Sequence, residues 1–195
     1  MRRRVLASVG GKPLPYDAEV EWLESTGTQY FDTGYTPSIN NIQSWGLLQT
    51  NTDVPFGCLN FIIVSGYHRF FTTSGVHYGQ HQDTFHVWEL NASLKTLLID
   101  GTRNASNIGT TDAVGNLWLF GRSDSGVKGN VRLYFFKEED QIGNPIVDFI
   151  FVRVGPRENP VGYMYDRANP TGGPLGNGLY PNAGTGAFII GPDKT

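Results

Sequence analysis

Few side chains in this 195-residue sequence have the types and spacing for catalysis, and each candidate group stops short of a full constellation. Asp32-Thr33-Gly34, preceded by Tyr30-Phe31, has the form of the turn that carries the carboxylate in acid proteolysis. That chemistry needs two carboxylates sharing one proton. The nearest counterpart is Asp100-Gly101-Thr102, which follows an apolar run in the manner of a hairpin turn, so the second carboxylate would have to come from a second copy. Retaining glycoside hydrolysis needs two carboxylates about 5–5.5 Å apart across the sugar bond. Glu19-Val20-Glu21 and Glu138-Glu139-Asp140 lack the alternating acidic spacing that would place such a pair on one strand face, and the second group borders a turn.

The histidines point no further. His77 and His81 would share a face of a continuous strand, His86 would point the other way, and Gly79 interrupts the run, with His68 nearby. A metal site needs convergent ligands with fixed second partners, so no metal ligands are assigned. No nucleophile elbow, phosphate-cradling loop or dinucleotide fingerprint is present, and no cofactor is expected. Cys58 is a lone cysteine among apolar residues, expected to be a buried thiol. Aromatic side chains are the remaining candidates, because sugar rings stack on exposed aromatic faces while polar neighbours bond the hydroxyls. Trp88 shares parity with Leu90 and reads as core; Trp118 reads either way. Tyr67, His68 and Arg69 follow Gly66 after an apolar run and read as an exposed loop, the expected ligand-binding residues.

The elements that must position these residues are strands. Gly 25, Pro 11 and 13% aromatic residues fit many short strands joined by tight turns. β-type runs are expected at 19–23, 28–32, 42–49, 56–64, 67–72, 84–90, 94–100, 116–121, 131–137 and 146–154. In the last two the alternation is clearest: Val131, Leu133 and Phe135 oppose Arg132, Tyr134 and Phe136, and Val147, Phe149 and Phe151 oppose Asp148, Ile150 and Val152. Apolar residues on both faces predict central strands, and 141–144 supplies the turn that would pair them antiparallel. Residues 1–17, Gly/Pro-rich and basic, are expected to form an extended arm that begins like a secretion signal but has too short an apolar run to serve as one. The globular domain would span 18–195. A net charge of −3 gives no footprint for nucleic acid, and no apolar run approaches the length of a spanning helix.

Glu21-Trp22-Leu23-Glu24-Ser25-Thr26-Gly27-Thr28-Gln29-Tyr30-Phe31-Asp32-Thr33-Gly34 near the start, Tyr165-Asp166-Arg167, and Asn182-Ala183-Gly184-Thr185-Gly186-Ala187-Phe188 near the end bracket nearly the whole domain. Together they resemble the concanavalin A-like (laminin-G-like) jelly-roll family of gut phages and gut bacteria. The resemblance implies an all-β, two-sheet antiparallel jelly-roll sandwich whose terminal motifs lie side by side. It departs at 171–178, a loop longer and richer in glycine than the family's, expected to be flexible and open to a functional role. In laminin-G-like folds a calcium ion can sit among loop carboxylates; Asp53, Asp112 and Asp124 are the positions for it here, and the sequence leaves calcium open. By resemblance the chain is expected to be a non-enzymatic virion structural or adhesion protein, a fibre or decoration component with a lectin-like face toward host glycan. Arg2, Arg3 and Arg4 would attach it to other virion proteins, and strands apolar on both faces predict a dimer or trimer. A polysaccharide-cleaving glycosidase and a bacterial cell-surface adhesin are the alternatives.

Overall fold

A computed structural model describes residues 13–49, 55–64, 67–73, 84–104 and 108–195. The architecture is all-β, with no helix among the described residues, and two antiparallel sheets pack face to face as a sandwich that does not close into a barrel. The larger sheet has 11 strands and the smaller five.

The larger sheet is built on its longest strands. β4 (Ile42–Gln49), β12 (Val131–Glu139) and β13 (Pro145–Val154) run side by side, with β8 (Phe85–Asn91), β9 (Thr96–Ile99) and β10 (Thr102–Asn104) extending one side, and β14 (Val161–Asp166) and β15 (Leu179–Tyr180) the other. The smaller sheet runs β3 (Phe31–Asp32), β11 (Val114–Leu119), β5 (Phe56–Leu59), β6 (Phe61–Val64) and β7 (Tyr67–Phe70). The β12–β13 hairpin forms as the alternation predicts. Asp140 closes it: Oδ1 accepts the Ile142 and Asn144 N–H groups at 3.0 and 2.8 Å, and Oδ2 accepts the Asn144 amide at 2.7 Å. The Asn144 N–H, foremost among these donors, holds the Asp140 carboxyl below its usual range. The β9–β10 turn at Asp100-Gly101 places both residues at positive φ, 50° and 74°, the backbone that lets a two-residue turn follow the strand twist.

One expectation about β12 is corrected. Val131 and Leu133 face inward, but the inward aromatic beyond them is Phe136, not Phe135. A bulge is the cause: Leu133 pairs with Leu47 and Phe135 with Gly46, so Tyr134 is an extra residue that shifts the parity. Gly46 makes room for it, since a Cβ there would lie 2.8 Å from the Phe135 ring and 3.1 Å from the Phe85 ring. On β13 the expected division holds, with Val147, Phe149 and Phe151 in the inter-sheet core and Ile150 and Val152 in a second cluster on the outer face.

The inter-sheet core is aromatic. Trp45 reaches across to Phe56, Phe61 and Phe70 of the smaller sheet at 5.2, 6.4 and 5.8 Å, and stacks beside Trp88 and Phe136 of its own. Phe31 and Phe120 of the smaller sheet's side meet Phe151 and Phe188. The second cluster is covered by chain assigned from sequence to the arm: Tyr16 is buried against Tyr165 with ring centroids 5.0 Å apart, and Leu14 packs beside it. Docked chain therefore starts ahead of the expected boundary at residue 17, because an aromatic at position 16 has an apolar outer face to cover. Arg2, Arg3 and Arg4 lie outside the described residues.

The two ends of the domain are bound together. β1 (Ala18–Glu19) pairs with β13, β2 (Leu23–Glu24) pairs with β12 and with β16 (Ile189–Ile190), and Val20 bridges Asp193. Arg132 lies 3.8 Å over the Trp22 ring and 2.6 Å from Glu24, and Asp193 takes Arg153 and Arg157 at 3.0 and 2.9 Å. Gln29, 1% exposed, is the knot: its Oε1 accepts Ser25 Oγ, Thr26 N–H and Thr26 Oγ1, and its Nε2 donates to the Ala187 carbonyl at 3.0 Å. The terminal motifs thus lie side by side, as the resemblance implies. Gln29→Ala strands several of these buried groups and is expected to cost about 1–3 kcal/mol in denaturant unfolding, with the cleft described below loosened; a change within error would show that the ends close without it.

Candidate functional site

Asp32 ends β3 at the margin of the smaller sheet, where Trp118 pairs with it across the ladder. The carboxylate is exposed, and its Oδ1 accepts the Gly34 N–H and the Asn116 side-chain amide, both at 3.0 Å. Asn116 sits on β11 one alternation from Trp118, so amide and carboxylate stand on the same outer face. Thr33 points the other way; its hydroxyl donates to the Leu117 carbonyl at 2.8 Å. The strand end is therefore pinned beneath, with its polar groups presented outward.

Facing it is the chain that leaves the larger sheet. Tyr165-Asp166-Arg167 is the structural end of β14 and the bend that follows it: Asp166, 2% exposed, accepts the Asp148 and Ala168 N–H groups at 3.0 Å each, and burial pushes its carboxyl above the usual range. The loop that follows folds on itself, with Gly178 N–H bonded to the Gly172 carbonyl at 2.8 Å. Gly173 adopts φ +71°, and a Cβ there would meet the Tyr180 ring at 3.0 Å, so this position requires glycine on both counts. Tyr180 is held edge-on by Phe149 at 5.6 Å, and burial, ahead of the neighbouring Asp166, pushes its phenol up. Asn182 then carries the chain back to β3: its Oδ1 accepts the Tyr30 N–H at 3.2 Å, and Ala183 N–H reaches the Tyr30 carbonyl at 2.9 Å.

Between these walls lies an open cleft of about 560 Å³, lined on one side by Asp32, Thr33, Gly34 and Asn116 and on the other by Gly173, Pro174, Tyr180, Pro181 and Ala183. Among the described residues Asp32 is the one carboxylate in the lining, and the rest is amide, hydroxyl, backbone and apolar ring. Beside it Tyr30 stacks on Trp118 at 4.1 Å, with the Lys128 ammonium 5.2 Å from the Tyr30 ring centroid. Both rings are half-buried by each other. The arrangement can accept hydroxyl protons at Asp32, donate from Asn116, and offer apolar surface opposite.

The sequence-expected ligand residues stand elsewhere. Tyr67, His68 and Arg69 form strand β7 at the edge of the smaller sheet, not an exposed loop. His68 pairs with Ile63, is 4% exposed, and packs inward against Trp88 at 4.9 Å and Phe70 at 5.8 Å, while Arg69 pairs with Ile62 and is partly exposed. Alternation with the inward Phe70 turns the imidazole into the core. The structure brings neither residue to the cleft.

Among the described residues, the other acidic candidates are engaged elsewhere in the fold. Asp100 lies in the turn of the other sheet, 2.6 Å from His86 and 2.9 Å from the Val87 N–H, and makes no pair with Asp32. Glu138 is fully buried, Glu139 pairs with Lys137 at 2.6 Å, and Asp140 is spent on its turn. Among the described residues no three His, Cys, Asp or Glu side chains group as a metal site. Asp124 pairs with Arg122; His77, His81 and Asp53 lie outside the described residues. Trp88 is core, as its parity predicts.

No family model, curated protein or solved structure matches this chain.

Sequence reasoning singles out Asp32, the 171–178 loop and the tail motif separately but does not join them as one site. The signal is the terminal pairing itself, which places the tail against β3. Cys58 is buried as expected, and burial, with Asp124 and Glu138 adding to it, pushes its thiol up to about 12. Native protein at pH 8 is therefore expected to leave the thiol unmodified by a disulfide reagent, with rapid reaction only after unfolding; prompt labelling of the folded protein would place that thiol at the surface.

Proposed function

We propose that this chain is a non-enzymatic, concanavalin A-like sandwich of adhesion or structural type that binds glycan in the Asp32 cleft and is carried on a phage virion as a fibre or decoration component. The observation that carries the binding half is the lining of the cleft. Asp32 and Asn116 offer an acceptor and a donor side by side, fixed by their own hydrogen bond, opposite the apolar rings of Pro174, Tyr180 and Pro181. Saccharides present that same pair of surfaces, hydroxyl edges and C–H faces. Retaining hydrolysis would need a second carboxylate about 5–5.5 Å from the first, and the lining offers one, which favours binding over cleavage.

The virion half rests on the resemblance of the terminal motifs. In this reading Arg2, Arg3 and Arg4 attach the chain to other virion proteins, and the sandwich faces host glycan. A bacterial surface adhesin would use the same cleft. Copies are expected to associate as dimers or trimers, which light scattering at micromolar concentration would detect; a monomer would count against it.

Glycan screening followed by calorimetric titration tests the cleft. Asp32→Ala and Asn116→Ala should each weaken binding by about tenfold or more, the loss of one hydrogen bond to a charged or well-placed group, while leaving the melting temperature within a few degrees, since both side chains are exposed. Unchanged affinity in both variants would move the ligand elsewhere. Release of reducing ends from any bound polysaccharide would replace this reading with a hydrolytic one.

A further inference from the structure

Glu138 projects from β12 into the sandwich, where it is 0% exposed. Its Oε1 receives three donors: the Tyr35 hydroxyl at 2.5 Å, the Ser38 N–H at 3.0 Å and the Asn41 side-chain amide at 2.7 Å. Its Oε2 is buried and has no hydrogen-bond partner among the described residues. Directly across the strand pair stands Gln43, whose Nε2 donates to the Ser38 carbonyl at 2.7 Å and whose Oε1 is likewise buried without a partner among them. Two oxygens lacking a donor therefore belong to facing residues of one ladder.

An ionised carboxylate would leave Oε2 and Gln43 Oε1 unpaired and bury a charge with no cation paired to it among the described residues, a costly arrangement in a core. One proton on Oε2 turns an acceptor into a donor and gives both atoms a partner. We propose that Glu138 is a neutral carboxylic acid whose Oε2–H donates to Gln43 Oε1, and that in this state it is the positioning residue for the 33–41 segment that walls the cleft.

The groups facing it agree. Tyr35 approaches from the segment and the Cys58 thiol from β5; neither group can carry a positive charge, and burial holds both in their neutral, protonated forms. Asn41 and Gln43 are neutral. Lys137 and Glu139, its neighbours on β12, turn to the opposite face and pair with each other. Burial raises the Glu138 carboxyl above its usual range, while the donors from Tyr35, Ser38 and Asn41 pull the other way without cancelling it. The route to the cleft is short. Tyr35 N–H donates to Thr33 Oγ1 at 3.1 Å, and the Tyr35 carbonyl accepts Leu117 N–H at 2.7 Å, beside Asn116.

Because the folded group holds its proton more tightly than the unfolded one, the stability it contributes is full below the unfolded carboxylate range and falls as pH rises toward the elevated folded value. The test needs no glycan. In wild-type protein carrying carbon-13 glutamate, the Glu138 carboxyl signal, assigned by its loss in Glu138→Gln, should report the protonated form at pH 7. The amide signals of Thr33 and Asn116 should move with the same midpoint when it titrates. Glu138→Gln reproduces the neutral acid, so it should keep the neutral-pH melting temperature and lose the pH-dependent component, whereas Glu138→Ala should lower the melting temperature by stranding three donors. An ionised signal at pH 7, a Glu138→Gln profile parallel to wild type, or cleft signals indifferent to the titration would each overturn the proposal. If Glu138→Gln fails to fold, the signal is assigned instead by its through-space contacts to Tyr35 and read in wild type alone: a protonated carboxyl at pH 7 supports the proposal and an ionised one overturns it.

Discussion

The two ends of the domain must be held side by side although up to 158 sequence positions separate the bonded groups. Everything the cleft needs follows from that closure. Thr28 Oγ1 donates to the Thr185 carbonyl at 2.8 Å, Thr185 N–H returns to the Thr28 carbonyl, and Gln29 ties Ala187 from within. Such contacts repay their loop-closure entropy only when several form together, which is why buried polar atoms are concentrated here. Ser25, Gln29 and Thr33 are buried polar residues along one short stretch, and each is hydrogen-bonded. Were the tail to peel away, the sandwich would lose Phe188 from its contact with Phe31 and Phe120, and the cleft would lose the wall that Pro181 and Ala183 supply.

The rest of the inter-sheet core is one continuous body of large rings with two centres. Around Trp45 the sheets meet through Phe56, Phe61 and Phe70; around Phe31 they meet through Phe120, Phe151 and Phe188. Aromatic rings fill an inter-sheet gap of about 10 Å with few residues. β3 belongs to the group around Phe31, so the carboxylate of Asp32 is mounted on the residue after a fully buried phenylalanine. Binding groups at a strand end inherit the rigidity of the core behind them.

Much of this is legible in the sequence because the physics is local. Period-2 alternation marks the two faces of β13, Asp100-Gly101 marks the β9–β10 turn, and the turn ending at Asn144 marks the central hairpin. The parity of β12 is not legible, since its bulge depends on Gly46, far off in the sequence, making room for Phe135. Tyr67, His68 and Arg69 mislead for a related reason: a strand at a sheet edge is as polar in composition as a loop, and only its pairing with β6 turns His68 inward. The cleft is half legible. Asp32 and the 171–178 loop each stand out, but their meeting depends on long-range pairing of the termini that no local pattern encodes. Glu138 reads as a solvated charge beside a turn, whereas its inward parity, set by the same bulge, buries it.

This separation of roles bears on how the molecule could work. The buried polar network and the aromatic clusters fix the frame, and the cleft is assembled almost entirely from a strand end and returning loops, where sequence can change without repacking the core. One carboxylate, one amide and a few apolar rings in an open cleft make a modest site, because hydroxyl groups exchange hydrogen bonds with water at little net gain. A glycan-binding role would then draw its strength from several copies engaging one surface, each later contact formed at the high effective concentration set by the first. Under that constraint the quality that matters most in the single domain is a cleft whose geometry is already set before binding, so that little ordering entropy is spent at each contact. The pinning of Thr33 to Leu117 beneath the floor and of Asn182 to Tyr30 at the rim supplies that order in the free protein.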